Sequence, residues 1–164
     1  MKLLRCAIHC ALAGTVGFFF GRLISKWPIK PDKGWFRSFT VERNGKVYEK
    51  LNIHKWQAKV PDMSRVFPKL MPPKNLRGDY MQRLPVMIQE TCVAELTHIV
   101  VSLLGLPCLK IWPGMGGVVV TAIFILLLNG PYILIQRYNR PRLMRLQTKL
   151  EARNEKKEGI VCVC

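Results

Sequence analysis

Apolar and polar positions are separated into long blocks along this chain. Residues 6–24 and 115–135 form two runs that are almost free of charge, and residues 96–111 form a shorter third run. Crossing the hydrocarbon core of a bilayer requires about 20 consecutive apolar residues. The two long runs therefore predict membrane-spanning helices, which we place at residues 4–25 and 115–135.

The third run is sixteen residues long and contains His98, Pro107 and Lys110, a pattern that fits a short span or a re-entrant segment. The sequence before it has helical spacing from about Pro85 and leads into the run without a break. We therefore predict an interfacial helix that continues into a second span, at residues 85–112. A tight hairpin at LKIWPGMGG would connect this span to the last one.

Residues 27–84 predict a compact cap instead of a linker. Apolar and polar positions alternate around Asn44-Gly45, which is a hairpin turn signal. The expected strand residues are Phe39, Val41, Val47 and Tyr48. Residues 60–79 carry four prolines, which predicts an irregular path along the membrane surface.

The distribution of charge predicts the orientation. The net charge is +16, with thirteen Lys and Arg in residues 27–95, eight from residue 136 onward and two in the first five residues. Because Lys and Arg accumulate on the cytoplasmic side of a membrane, the cap and the basic tail at residues 136–164 are expected to share that side. The predicted fold is a single, mainly α membrane domain, residues 1–164. It has about three transmembrane helices, the N-terminus outside, the C-terminus cytoplasmic and a small cytoplasmic cap containing a β-hairpin.

Two other classes of protein share some of these features. Lys2 and Arg5 before the first run also suit a signal peptide, but basic residues follow the run closely and no small-residue cleavage site separates them. A pI near 10 is typical of nucleic-acid-binding proteins. The chain has no zinc-finger spacing and no basic helix with interleaved aromatics, whereas positive charge also serves topology and contact with anionic lipid. Membrane lipid is thus an expected partner and nucleic acid is not.

The cysteines predict neither a disulfide framework nor a metal site. Three lie in apolar runs and two lie in the predicted cytoplasmic tail, where thiols stay reduced: Cys6, Cys10, Cys108, Cys162 and Cys164. Cys92 fits either a small buried hydrophobic residue or a reactive thiol. A di-metal site would need two Glu-x-x-His motifs, and the chain has one.

That motif, Glu95 and His98, is the candidate catalytic pair. The two residues are three positions apart and so share a helix face, with Glu90 about 80° from His98. A carboxylate beside an imidazole orients the ring and raises its basicity, which suits a general base acting on a hydroxyl group. The alternative is an interfacial helix start whose acidic residues only complement basic neighbours.

Three motifs resemble those of a known family. In order, HKWQAKVPD, ETCVAELTH and QRYNRPRL are similar to segments of the glycosyl-4,4'-diaponeurosporenoate acyltransferases, over residues 31–143. The resemblance implies esterification of a sugar hydroxyl on a glycosylated C30 carotenoid acid with a fatty acyl chain, the last step toward staphyloxanthin-type pigment. The residues that carry over by position are Lys55, Trp56, Lys59, Asp62, Glu90, Thr91, Glu95, His98 and 136–143.

The resemblance also implies how the acyl donor would be bound. The donor is expected on a phosphorylated carrier such as acyl-CoA, as a co-substrate and with no other cofactor. Arginine binds phosphate or carboxylate oxygens bidentately, and Arg140 would stabilise the tetrahedral intermediate. The other expected substrate-binding residues of the last motif are Gln136, Arg137, Tyr138, Asn139 and Arg142. The alternative is a plain positive stop signal after the span.

Two prolines complete the predicted site. Pro141 is expected to stop the helix, so that the following arginines turn back toward the site. Asn129-Gly130-Pro131 is expected to bend the last span and widen a gap beside His98. The rival functions are acylation of another glycolipid and a non-catalytic membrane scaffold.

Overall fold

The computed structural model describes residues 1–61 and 80–161, and within them the chain is mainly helical. The path predicted for the proline-rich stretch, the residue Asp62 and the C-terminal cysteines lie outside the described residues. The chain divides into two units, which are described separately below. The apolar unit comprises Met1–Ile29 and Cys92–Arg137, and the basic unit comprises Lys30–Thr91 and Tyr138–Cys164.

The helices follow one another in a simple order. The α-helices are α1 (Lys2–Ile24), α2 (Lys46–Glu49), α3 (Ile53–Trp56), α4 (Tyr80–Gly105), α5 (Cys108–Ile111), α6 (Met115–Ala122) and α7 (Gly130–Val161). Residues 1–61 also contain three 3₁₀-helices, at Gly34–Phe36, Thr40–Gly45 and Gln57–Lys59, and a π-helix at Ile123–Asn129 links α6 to α7.

Within residues 1–61 and 80–161, three helical segments are long and apolar enough to cross a membrane. They are Lys2–Ile24, Met81–Ile111 and Met115–Lys156. The prediction of a mainly helical fold with about three such helices is therefore confirmed. A three-residue turn, residues 112–114, separates the second and third segments where the tight connection was expected. The second segment starts its helix at Tyr80, earlier than expected, and Pro85 lies inside α4 between the buried residues Leu84 and Ile88.

Glycines bring α1 and α4 close together in the apolar unit. A Cβ on Gly17 would lie 2.1 Å from Val101 Cγ2, and one on Gly21 would lie 2.7 Å from Thr97 Oγ1. The two glycines are four residues apart, so they lie on one face of α1. Lipid gives apolar helices no hydrophobic reason to associate, and small residues that permit close packing replace that force. The Gly-x-x-x-Gly spacing thus explains this helix contact.

The π-helix stands where the sequence predicted a bend. Pro131 lacks the N–H that an α-helix needs at that position, so the turn before it must use another hydrogen-bond pattern. The segment Ile123–Asn129 adopts the wider i→i+5 pattern, and the side chain of Asn129 donates to the Phe124 carbonyl oxygen at 2.9 Å. Single π-helical turns in longer helices occur frequently at functional sites.

The predicted β-hairpin is wrong, because residues 1–61 and 80–161 contain no strand and residues 40–49 are helical. Glu42 explains the helical turn: it accepts the backbone N–H of Phe39 at 2.9 Å and the hydroxyl of Tyr48 at 2.5 Å. Gly45 has a φ of +89°, and this left-handed residue connects a 3₁₀-helix to α2 instead of turning a hairpin. Asn-Gly supplies positive φ in either setting.

The prediction that Pro141 stops the last helix is also wrong. α7 continues through this residue to Val161. An interior proline costs about 3 kcal/mol, but the residues that follow it, Arg142-Leu143-Met144-Arg145-Leu146-Gln147, have high helix propensity. Pro141 also packs: a Cβ on Gly45 would lie 3.2 Å from its Cγ. The arginines after Pro141 therefore continue along the helix.

Candidate active site

His98 lies on α4 in the apolar unit and contacts an amide side chain from the π-helix. Its Nδ1 lies 2.9 Å from Asn129 Oδ1. Asn129 Nδ2 donates to the Phe124 carbonyl oxygen, and this bond fixes which end of the amide faces the imidazole. An amide oxygen only accepts hydrogen bonds, so Nδ1 must carry a proton. In the neutral ring Nε2 then holds the lone pair.

An aromatic side chain also fixes the position of the His98 ring. The Tyr132 ring stacks on it with centroids 4.4 Å apart and planes 10° from parallel. The ring is thus held at one edge by a hydrogen bond and on one face by an aromatic ring. Such support keeps a reactive group in one geometry.

Glu95 is fully buried in the same unit, one helical turn before His98, and it forms an ion pair with Arg137. The Nε of Arg137 lies 2.7 Å from Glu95 Oε1, and the arginine side chain is only 8% exposed. Burying either charge alone would be costly, and the pair makes burial of both tolerable. The structure thus places Asn129 against His98 Nδ1 and Arg137 against Glu95. The role of Glu95 as the orienting partner of His98 stays a prediction.

Arg140 is buried in the basic unit, where it connects two segments that are distant in sequence. Its Nε donates to Thr91 Oγ1 at 3.0 Å, and one terminal nitrogen donates to the Thr91 carbonyl oxygen at 3.2 Å. The other terminal nitrogen donates to the Phe36 carbonyl oxygen at 2.8 Å, and the guanidinium lies over the Phe36 ring. The planar fork of arginine suits this bridging geometry.

The first and third sequence motifs also meet in the basic unit. Asn139 Nδ2 donates to Gln57 Oε1 at 3.2 Å. The neighbouring residue Trp56 is half-buried, and its indole N–H donates to the Leu51 carbonyl oxygen at 3.0 Å. Lys55 and Lys59 are exposed. Of the predicted binding residues in the first motif, the two lysines therefore face solvent.

The remaining predicted residues occupy contrasting surroundings. Tyr138 is buried, and exposed Arg142 lies over its ring and donates to its hydroxyl. Gln136 is buried in the apolar unit, and Glu90 is half-buried in the basic unit. Of the arginines of QRYNRPRL, Arg137 and Arg140 are buried and Arg142 is exposed, and their role in binding the donor stays a prediction.

Sequence reasoning missed Asn129 and Tyr132, which contact the His98 ring. The sequence predicts only a helix bend at Asn129 and assigns no role to Tyr132. Polar residues inside an apolar run are costly and mark functional positions, so Asn129 could have been found by that signal. No comparable signal pointed to Tyr132. Among residues 1–61 and 80–161, no group of three or more His, Cys, Asp or Glu side chains is placed to hold a metal ion.

The helices and the His98 site define a membrane protein with a candidate general base, and comparison with known proteins supplies its family. The sequence model of the glycosyl-4,4'-diaponeurosporenoate acyltransferase family matches residues 32–149. The protein of that name from Staphylococcus aureus strain MRSA252 is 33% identical over 122 residues, which cover 74% of this chain and 73% of the relative. Its counterparts from strains N315 and USA300 are 33% and 31% identical, with the same coverage. No solved structure matches the chain.

The chain therefore belongs to the glycosyl-4,4'-diaponeurosporenoate acyltransferase family, and it is an acyltransferase. The matched region includes the three motifs that carry the resemblance. It also contains His98, Asn129 and Tyr132.

Proposed function

We propose that this enzyme esterifies a sugar hydroxyl of a glycosylated C30 carotenoid acid with a fatty acyl chain. The name shared by the relatives in three Staphylococcus aureus strains supports the acceptor, since glycosyl-4,4'-diaponeurosporenoate is a substrate of this kind. Three helices able to cross a membrane suit an acceptor whose polyene is dissolved in lipid.

The observation that carries the mechanism is the contact between His98 Nδ1 and Asn129 Oδ1 at 2.9 Å, from which the tautomer of His98 is inferred. With Nδ1 donating to Asn129, Nε2 accepts the proton of the sugar hydroxyl as its oxygen attacks the acyl carbonyl carbon. The new C–O bond gives a tetrahedral intermediate. This intermediate collapses as the bond from the acyl carbon to the carrier sulfur breaks, and the imidazolium returns its proton to the leaving thiolate. The products are the ester and the free thiol of the carrier.

We assign the stabilisation of the oxyanion to Arg137 instead of Arg140. Arg137 belongs to the same unit as His98, and its partner Glu95 lies one helical turn from His98 on α4. Arg140 is engaged with the Phe36 and Thr91 carbonyl oxygens and the Thr91 hydroxyl. A positive charge in a poorly solvated site acts more strongly on developing negative charge than the same charge in water.

The reaction is assigned to the cytoplasmic face of the cell membrane. Twenty of the 26 Lys and Arg residues belong to the basic unit, and basic residues accumulate on that side. Activated acyl chains are carried in the cytosol, and the sugar of a membrane glycolipid lies among the headgroups. In this orientation the N-terminus is outside and the C-terminus is cytoplasmic.

The test is mass spectrometry of lipid extracts from cells that make the glycosylated C30 carotenoid acid. Wild-type protein is expected to add one fatty acyl group, and His98→Ala to reduce the ester by at least about a hundredfold at equal membrane content. Asn129→Leu is expected to lower the amount of ester as well. Asn129→Asp keeps an oxygen acceptor for His98 Nδ1 and is expected to retain part of the activity. His54→Ala, which changes an exposed histidine of the basic unit, is the matched control and is expected to stay within about twofold.

Unchanged acylation by His98→Ala would remove the general-base assignment. Acylation of a different glycolipid by the wild type, with the carotenoid unchanged, would show that the acceptor is that glycolipid. The proposed acyl transfer with His98 as general base would still hold. The absence of any acylated lipid from correctly inserted wild-type protein would reject both.

A further inference from the structure

The C-terminal helix carries a row of five exposed cations. Arg142, Arg145, Lys149, Arg153 and Lys156 are all exposed, at intervals of three, four, four and three residues. At 100° per residue these intervals keep all five within an arc of about 80°. The row extends about 21 Å along α7 at 1.5 Å per residue.

The other sides of this helix differ in character. Leu143, Leu146 and Leu150 are half-buried and lie together beside the cationic row. Glu151 and Glu155 lie on the side of the helix opposite the row, and Glu151 accepts a hydrogen bond from Gln147 within the helix at 2.9 Å. The acidic residues are therefore positioned away from the cations. The row presents one sign of charge to its surroundings.

We propose that this cationic row is the docking surface for the acyl donor, and that the donor is a small acidic protein carrying the acyl chain as a phosphopantetheine thioester. This inference rests on the proposed function, because it names the carrier that delivers the acyl group. Complementary charge accelerates and orients such an encounter without a large apolar interface.

The shape of the row favours a protein over a lipid surface. A membrane-surface helix inserts an apolar face between the headgroups, but the leucines of α7 are half-buried by the protein itself. A single narrow row matches a line of carboxylates on an acidic helix, where side chains three and four residues apart share a face.

The experiment uses the full chain in phosphatidylcholine nanodiscs and palmitoyl acyl carrier protein as the probe. The variant that reverses two charges of the cationic row, called the stripe variant, is Lys149→Glu/Arg153→Glu. The matched control, Lys46→Glu/Lys50→Glu, makes the same change in charge at two exposed lysines of the basic unit. Binding of fluorescent carrier protein is measured by anisotropy. Turnover is compared between palmitoyl carrier protein and palmitoyl-CoA.

We expect the wild type and the control to bind the carrier protein, and the stripe variant to bind at least about tenfold more weakly. Binding is expected to weaken as salt is raised. With the carrier-protein donor, KM is expected to rise in the stripe variant by a similar factor while kcat is kept. With palmitoyl-CoA, the stripe variant and the wild type are expected to agree within about twofold.

Failure of docking and failure of the proposed function give different results. His98→Ala that binds carrier protein normally but does not turn over supports both proposals. Absence of carrier-protein binding by the wild type, or an equal loss in stripe and control variants, overturns the docking proposal whatever the activity. Protection of Lys149 and Lys156 from amine labelling by phosphatidylglycerol nanodiscs without carrier protein would also overturn it, in favour of a lipid surface.

Discussion

Two buried arginines, three residues apart on α7, are held by different kinds of partner. In the apolar unit Arg137 pairs with the carboxylate of Glu95 at 2.7 Å. In the basic unit Arg140 donates to the carbonyl oxygens of Phe36 and Thr91 and to the Thr91 hydroxyl. Both were expected to bind the donor. The first is one half of an ion pair in an apolar setting, and the second is a bridge between chain segments.

The difference teaches how each unit obtains its stability. A charge among apolar helices needs an opposite charge, because hydrocarbon offers no other solvation. In the basic unit, the backbone carbonyl groups of Phe36 and Thr91 need hydrogen-bond donors, and the guanidinium of Arg140 supplies them. One motif, QRYNRPRL, therefore serves two purposes. Three sets of variants test how each unit is stabilised, and they are given in order of decreasing expected effect on stability.

The largest effect is expected from separating the ion pair of the apolar unit. Glu95→Ala leaves the Arg137 charge buried without this carboxylate, which we expect to destabilise the protein by about 3–5 kcal/mol. The double variant Glu95→Leu/Arg137→Met removes both charges and is expected to recover most of that loss. Unfolding by denaturing detergent, followed by circular dichroism, measures both. A double variant no more stable than Glu95→Ala would show that the pair does not account for the loss.

A smaller effect is expected from removing the bridge in the basic unit. Arg140→Ala loses three hydrogen bonds and the contact with the Phe36 ring, which we expect to cost about 2–3 kcal/mol. Arg140→Lys is expected to recover little, because an ammonium group lacks the planar fork. Thermal unfolding of the purified protein provides the measurement. Arg153→Ala, at an exposed position of the same helix, is the control and is expected to change stability by about 0.5 kcal/mol or less; equal losses at both positions would contradict the bridge.

The smallest effect concerns packing alone in the apolar unit. A Cβ on Gly17 would meet Val101, whereas a Cβ on Gly14 has no neighbour within 4 Å. We expect Gly17→Ala to destabilise the α1–α4 contact by about 1–3 kcal/mol. Gly14→Ala is expected to be neutral or slightly stabilising, since alanine favours helix. Detergent titration of the two variants gives the comparison, and similar values would argue against close packing at Gly17.

Much of the fold of the apolar unit could be predicted from the sequence, and much less of the basic unit. Twenty apolar residues in a row have one stable solution in a bilayer, a helix, so composition alone locates the spans. The basic unit has no such constraint. Asn44-Gly45 supplies positive φ to a hairpin or to a helix junction, and the choice depends on Glu42 and its contacts with Phe39 and Tyr48.

The candidate site could be predicted from the sequence only in part. His98 and Glu95 were singled out because ionisable groups inside an apolar helix are rare. The spacing of three residues suggested that they act on each other. The structure also gives each a partner from the following segments, Asn129 for His98 and Arg137 for Glu95, at sequence separations of 31 and 42 residues. Pairing across such distances depends on how the helices pack, which spacing within one helix does not contain.

The π-helix at Ile123–Asn129 sets the rotational register of everything that follows it in the apolar unit. Its wider turn accommodates one residue more than an α-helix would over the same length. Removing one residue from this segment would rotate the following side chains by about 100° relative to α6. Tyr132 would then leave the His98 ring, and Arg137 would leave Glu95. The π-helix thus keeps two contacts aligned, the Tyr132 ring on the His98 ring and Arg137 on Glu95. The length of this segment is therefore as constrained as the identity of the residues that form these contacts.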